Sequence, residues 1–336
     1  MADPLLTFTD RGIYCPRGDF YIDPWRPVDR AVITHGHSDH ARPGHRAYLA
    51  THQALPVMRH RLGEITAQGL DYGETLDIGG VTVSLHPAGH IPGSAQVRVE
   101  HRGEVWVVSG DYKTTPDGLC EDFEPVQCQH FVTECTFGLP VFKWKPQAEV
   151  AGELNAWWAE QAAQGGFAML GAYSLGKAQR LLHMLDPGIG PILTHGAVEA
   201  TNEILRGQGY DLPMTEQVTP DMDVKSRTGA LIIAPPSALG SQWARRFKGA
   251  STGFASGWMR LRGVRRRRST DRGFVVSDHA DWDGLLEAIK STMAENIYPT
   301  HGYTDIFARY LNEIGYTARV VPTEFGGDED DQETAA

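Results

Sequence analysis

Cysteine is scarce in this sequence of 336 residues: Cys15, Cys120, Cys128 and Cys135 are the only four, and none forms a C-x-x-C pair. That spacing excludes a disulfide framework and a thiolate zinc finger, and four isolated thiols read as reduced cytosolic side chains. Long apolar runs are also missing. No stretch approaches the ~20 residues needed to span a bilayer. The start, Met1-Ala2-Asp3-Pro4-Leu5-Leu6, lacks the basic-then-apolar order of a secretion signal. A cytoplasmic protein with no membrane partner is expected. Positive charge is in short supply, with 31 Lys and Arg against 42 Asp and Glu and a net charge of −11, which argues against a general polyanion binder. The mean hides an asymmetry. Asp328-Glu329-Asp330-Asp331 falls in a tail, 326–336, with no apolar anchor and an expectation of disorder. Arg260-Leu261-Arg262-Gly263-Val264-Arg265-Arg266-Arg267-Arg268 is strongly basic instead, and is either a solvated loop or an edge that contacts phosphates. A P-loop is absent too, because the G-x-x-x-x-G-K-[ST] pattern ends here in Gly176-Lys177-Ala178, without the hydroxyl.

What the chain does have is concentrated histidine. His35-Gly36-His37-Ser38-Asp39-His40 puts four metal-binding side chains within six residues, directly after the apolar Ala31-Val32-Ile33-Thr34. At a strand end alternate residues point the same way, so His35 and His37 can bind one ion while Asp39 and His40 face a second. Three further segments repeat the strand-then-glycine-loop pattern: Ala88-Gly89-His90, Ser109-Gly110-Asp111 and Pro299-Thr300-His301-Gly302. A polar turn rich in histidine would explain one such segment, but not four in the places where a scaffold presents functional groups. Five histidines and two aspartates are too many ligands for one zinc and suit two. The natural partition gives His35, His37 and His90 to one ion, and Asp39, His40 and His301 to the other, with the Asp111 carboxylate bridging. Two ions about 3.5–4 Å apart can activate a water and stabilise both attacking and leaving oxygens. Apart from His279, the other eight histidines, His195 among them, lack a companion ligand and default to surface or core roles.

The pattern of elements changes twice along the chain. Up to about residue 140, short strands alternate with tight turns. Thr75 to Ile78, Val81 to Leu85, Ala95 to Glu100 and Glu104 to Val108 read as consecutive antiparallel strands joined through Gly79-Gly80 and Arg102-Gly103. A helix is expected from His52 to Leu62, with Thr51 as its cap. Helices then alternate with strands: Gln147 to Gln164, Phe167 to Leu170, Leu175 to Leu185, Ile192 to Thr194 and Val198 to Leu205. This alternation implies parallel pairing and a separate unit. Because His301 must join ligands from the first third, both chain ends belong to one domain. The expected division is 1–145 with 269–325, an insertion over 146–268, and the tail 326–336. Ser174 precedes a segment with apolar residues at helical spacing, so it reads as an N-cap. Such a helix start, with Lys177, could hold a phosphate; a capped helix with an exposed lysine is the plainer alternative.

The ordered ligand set resembles that of the metallo-β-lactamase superfamily. Thr133-Glu134-Cys135-Thr136-Phe137-Gly138 resembles the acidic motif opening its nucleic-acid-processing branch, β-CASP. Ser277-Asp278-His279-Ala280-Asp281 resembles that branch's histidine motif. Gly171 to Gln179 is similar to a helix-opening segment of its inserted cap. Tyr21-Ile22-Asp23-Pro24-Trp25 and the length resemble a narrower group, the bacterial exonucleases associated with an ATP-dependent DNA ligase. The resemblance implies an α/β fold: an αββα sandwich carrying a dinuclear zinc site, with manganese as an alternative metal, split by an α/β cap. It implies a catalytic set of Asp39, Glu134 and His279, with His279 as general acid and Glu134 orienting its imidazole. Ser174 and Lys177 become the expected substrate-binding residues for a 5′-phosphate. The implied activity is 5′-to-3′ exonucleolytic hydrolysis of single-stranded or end-bearing DNA in repair, linked to the ligase. An RNA endonuclease or 3′-end processing enzyme of the same branch is the alternative. Eukaryotic DNA-directed members resemble one another in lacking the last histidine, and this chain departs from them by keeping His301. A small-ester hydrolase would not need the long insertion between Glu134 and His279, and a non-catalytic scaffold would not need the complete ligand set.

Overall fold

The computed structural model describes residues 4–267 and 270–324, so the 326–336 tail and Arg268 lie outside the described residues. Chain contacts divide into two compact units. The first holds residues 4–116, 120–143 and 279–324, and the second holds Asp117–Leu119 with Trp144–Asp278.

Two sheets build the first unit. One has six strands in sequence order, Thr7–Phe8, Ile13–Cys15, Phe20–Ile22, Arg30–Val32, Ala47–Thr51 and Ala67–Leu70. The other has seven, ordered Thr317–Ala318, Asn296–Gly302, His130–Cys135, Glu104–Val108, Ala95–His101, Val81–Pro87 and Thr75–Ile78. The last four pair antiparallel, two of their three connections being two-residue turns and the third the 88–94 loop. Gly79, Gly80, Arg102 and Gly103 all take positive φ, the conformation that a tight hairpin turn of this type needs.

Alternation along the strands decides what each face covers. Trp106 and Val108 join Val81, Val83, Val97 and Val99 in a core shared with Ile13, Phe20, Ile22 and Val32 of the other sheet. Val105 and Val107 point the opposite way, into a core with Leu285, Ile289, Phe307 and Leu311 of the helices Trp282–Thr292 and Thr304–Glu313. On the far side, Ala31, Ile33 and Tyr48 pack under Leu55 and Met58 of the helix Leu55–Leu62. The layers therefore run helix, sheet, sheet, helix: the αββα sandwich. The helix Leu55–Leu62 starts three residues later than expected, since Pro56 fixes its first turn. Thr51 stays at a strand end, accepting from the Ala54 amide (3.0 Å) and donating to the Gly93 carbonyl (2.7 Å).

The second unit is built on a six-stranded parallel sheet, ordered Glu216–Gln217, Ile192–Thr194, Leu231–Ala234, Ala168–Gly171, Ser251–Ala255 and Arg272–Phe274. Its helices include Gln147–Ala163, Lys177–Met184 and Gly196–Gly207. The chain does not return to the first unit at residue 269. Arg272–Phe274 adds parallel to Gly253–Ala255, so residues through Asp278 pack with the second unit and the return falls at His279.

Candidate metal centre

Each candidate ligand sits at or just past a strand end of the first unit. His35 follows Arg30–Val32, His90 follows Val81–Pro87, Asp111 follows Glu104–Val108, and His301 lies in Asn296–Gly302. The Asp111 loop is pressed against the His35 loop at Gly110, whose φ is +56° and where a Cβ would meet the Thr34 side chain at 2.6 Å. His301 is placed by a bulge. Glu134 pairs with Thr300 and Cys135 with Gly302, so His301 is an extra residue at φ +55°. The Cys135 thiol donates to the His301 carbonyl (2.8 Å), which makes Cys135 a brace beside the cluster.

The side chains converge as two sets. His35 Nε2 and His90 Nε2 lie 3.2 and 3.1 Å from His37 Nδ1, and 3.5 and 3.8 Å from Asp111 Oδ2. Zinc–nitrogen bonds of ~2.0–2.1 Å would place tetrahedral ligand atoms about 3.4 Å apart, so these separations suit one ion. In the second set His40 Nε2 lies 3.5 Å from Asp39 Oδ2 and 3.4 Å from Asp111 Oδ2. The Asp39, His40 and His301 ligand atoms all fall within 4.8 Å of one another. The two sets meet at Asp111, which is 3% exposed and whose Oδ1 is buried with no hydrogen-bond partner among the described residues. A buried carboxylate oxygen in that state is costly without a cation, and the donor set is what zinc accepts. The site fits the metals that the ligand pattern implies.

Electrostatics of the metal-free cluster point the same way. Burial drives His35 well below the ordinary imidazole range, and charge on His40 adds to the effect. Burial also opposes charge on His40, but Asp39, Asp111 and Asp23 outweigh it and hold that imidazole well above its usual value. Burial alone would raise Asp111; the neighbouring His40 and His301 instead hold it well below the carboxylate range. The cluster thus keeps a proton on His40 where a cation could replace it.

Asp23 is a residue whose role the sequence reading missed. It is 1% exposed, and its carboxylate accepts from His40 Nδ1 (2.7 Å), the Thr34 amide (2.8 Å) and the Thr34 hydroxyl (2.6 Å). Holding one ring nitrogen of a histidine orients the other toward a metal. The signal was a carboxylate directly after the short strand Phe20–Ile22, the same placement that marks Asp111.

Glu134 and His279 form a third set with Asp111 within 4.8 Å. His279 Nδ1 lies 2.9 and 2.8 Å from the two Glu134 oxygens, and the Tyr112 amide donates to Glu134 Oε1 at 2.7 Å. The His279 ring stands 4.7 Å from the His90 ring, centroid to centroid.

Ser174 and Lys177 are not arranged as expected. The helix is Lys177–Met184, and Gly176 precedes it; Ser174 does not cap it. The Gln179 side chain takes the capping role, accepting from the Gly176 amide (2.8 Å) and donating to the Ser174 carbonyl (2.9 Å). Lys177 is 3% exposed rather than solvated, with its ammonium 3.4 Å from Asp278 Oδ2 and over the Tyr173 ring. Arg180 Nη1 holds the other Asp278 oxygen at 3.2 Å. These two cations fix Asp278, the residue before His279, so Lys177 is not the exposed charge a phosphate pocket needs. His195 caps its own helix by accepting from the Ala197 amide (3.2 Å), which accounts for its strand-then-His-Gly setting.

No family model matches the sequence. It is 30% identical over 311 residues to a protein of Opitutus terrae named a probable DNA ligase, across 91% of this chain and 30% of that protein. A ribonuclease of Thermus thermophilus is 28% identical over 196 residues, across 49% of this chain and 44% of that protein. An endoribonuclease of Saccharomyces cerevisiae is 28% identical over 119 residues, across 35% and 15%. The chain spans less than half the length of these relatives. A crystal structure of a protein of unknown function from Enterococcus faecalis shares the fold, with a TM-score of 0.61 at 12% identity over 88% of this chain and 80% of that one. The sandwich and its edge cluster define a metallo-β-lactamase fold. Within that superfamily, the chain belongs to the β-CASP branch.

Proposed function

We propose that this chain is a metal-dependent DNA exonuclease that hydrolyses phosphodiester bonds from the 5′ end, in repair. The observation that carries the reading is the pair of donor sets meeting at the buried Asp111 carboxylate. His35, His37 and His90 would hold one zinc or manganese ion, Asp39, His40 and His301 a second, and Asp111 both. When bound, two such ions supply an activated water and charge stabilisation at phosphorus.

The protein's own groups do the rest. Asp23 keeps His40 turned toward its ion. The Glu134 carboxylate, held by the Tyr112 amide, fixes and orients the His279 ring through Nδ1. His279 Nε2 then delivers a proton to the departing sugar oxygen. Glu134 and His279 are thus read as a proton-delivery pair, not as a third metal site. A 5′ start follows the family resemblance alone, since Asp278 already meets the Lys177 charge.

The match to part of a longer protein named a probable DNA ligase favours DNA and a functional link with an ATP-dependent DNA ligase. The ribonuclease and endoribonuclease relatives, together with His301, favour the second reading, an RNA endonuclease or 3′-end processing enzyme. End-labelled single-stranded DNA and RNA of identical sequence, digested with zinc or manganese, separate the two. Stepwise loss from the 5′ end of DNA supports the first reading. Internal cleavage of RNA in preference to DNA replaces it with the second. Intact DNA and RNA under both metals overturn phosphodiester hydrolysis altogether.

A further inference from the structure

We propose that the second unit carries a nucleic-acid-holding surface of its own, centred on Arg265 and Arg272 and built from residues other than the metal ligands. The inference rests on the nuclease reading and extends it to how the strand is retained. Three observations converge on one place.

Charge is the first. Residues 240–272 contain ten Lys and Arg but a single acidic residue, Asp271, in a chain whose net charge is −11. A polyanion approaching such a chain is repelled at long range. Within a Debye length of about 8–10 Å the local charge decides, so retention calls for a concentrated basic surface. Arg262, Arg265, Arg266 and Arg267 all lie in the six-residue helix Arg262–Arg267, and all four are exposed. Arg262 and Arg266 stand one turn apart as like charges, an arrangement that destabilises a helix. None of the four makes an ion pair among the described residues. A bound polyanion would relieve this repulsion.

The second observation is shape. A cavity of about 620 Å³ opens between this helix and the edge strand Arg272–Phe274, and both Arg265 and Arg272 line it. Its floor is apolar: Met259 and Phe274 are 0% and 3% exposed, and Phe274 is braced by Trp157 with ring centroids 5.3 Å apart. The packed Met259 and Phe274 give the cavity a rigid base, and the arginines on its rim are held at a fixed spacing that suits a phosphate backbone.

The third is the state of the nearby carboxylates, which do not neutralise the arginines. Glu153 is paired with Lys145 at 2.5 Å, and Asp271 accepts from the Thr252 amide (2.8 Å) and hydroxyl (3.2 Å). Among the described residues the Arg265 side chain makes only a long bond, 3.4 Å, to the Gly273 carbonyl. Arg272 makes no ion pair among the described residues. Guanidinium groups so placed are available for bidentate contact with phosphate oxygens. The occupant is the backbone of single-stranded nucleic acid, and contact is independent of base sequence.

The test compares the parent protein with R265Q/R272Q and R265K/R272K, using binding of a long single-stranded oligonucleotide across a salt series and turnover of a dinucleotide. The glutamine pair should weaken long-strand binding on the order of tenfold and reduce the slope of log K against log salt by roughly 1.4, about 0.7 per phosphate contact. Dinucleotide turnover should be retained, and the lysine pair should restore most of the slope. An unchanged slope in the glutamine pair overturns the surface. Parallel loss on long and short substrates also overturns it, because the arginines would then be supporting the fold. If the glutamine pair does not fold, R265Q and R272Q singly should each reduce the slope by about half as much; no reduction overturns the proposal. A parent protein that binds no nucleic acid at any salt instead removes the nuclease reading itself.

Discussion

At the scale of single residues, the metal cluster is an exercise in competing for protons. Three carboxylates hold the His40 imidazole well above its ordinary value of 6.5, against a burial effect of the opposite sign, while burial leaves His35 neutral. A histidine must be neutral to ligate, so protons compete with the ion at His40 through neutral pH. In the metal-free protein a protonated His40 stabilises the fold fully below pH 6.5, and that contribution is lost as pH rises through the raised value. Metal binding changes in the opposite direction. The gain in Tm on adding zinc should therefore grow from about pH 6 to about pH 8. A constant gain across that window would show that His40 loses no proton when the ion binds. His279 makes a sharper case. Held by Glu134 rather than by the two ligand sets, it should be replaceable by Ala with both ions retained and the rate reduced by ~10²–10⁴-fold. If metal content falls with the rate, His279 is a ligand and the partition is wrong.

At the scale of elements, strand ends do the positioning, and this is also what made the site readable. A strand that turns from alternating apolar residues to a glycine loop leaves its mark locally, so His35, His37, Asp39, His40, His90, Asp111 and His301, which the structure brings together, could be picked out as candidates from the sequence. Contacts closed by distant parts of the chain leave no such mark. Asp278 comes long after Lys177 in sequence, and nothing near Lys177 reveals that it is buried. Ser174 looked like a cap because its residue type and position were right, but Gln179 one turn later supplies the bond instead. The strand Leu231–Ala234 was missed because a fully buried parallel strand is a short apolar run without alternation, and Ser251–Ala255 because its Ser-Thr-Gly start reads as a turn. Gly302 tests the positioning role directly. Its φ is +74°, and a Cβ there would sit 2.5 Å from the Cys135 carbonyl oxygen. Gly302→Ala should cost more than ~1 kcal/mol and displace His301, lowering Tm and depleting mainly one ion. An unchanged Tm and full metal content would show that the bulge does not position His301.

At the scale of the whole molecule, acidic and basic chemistry are separated along the chain. The carboxylates that would hold cations lie on a sandwich built from both chain ends, while the arginines cluster within the inserted unit. No helix among the described residues is long and apolar enough to cross a membrane. The central claim is that two ions, joined by Asp111, make this sandwich a phosphodiesterase. Titrating zinc or manganese into metal-stripped protein while following hydrolysis of labelled single-stranded DNA tests that claim most directly. The expected result is activity that rises until two equivalents are bound and then levels, with Asp111→Ala inactive at every metal concentration. Full activity at one equivalent, or hydrolysis by the metal-stripped protein, would contradict it.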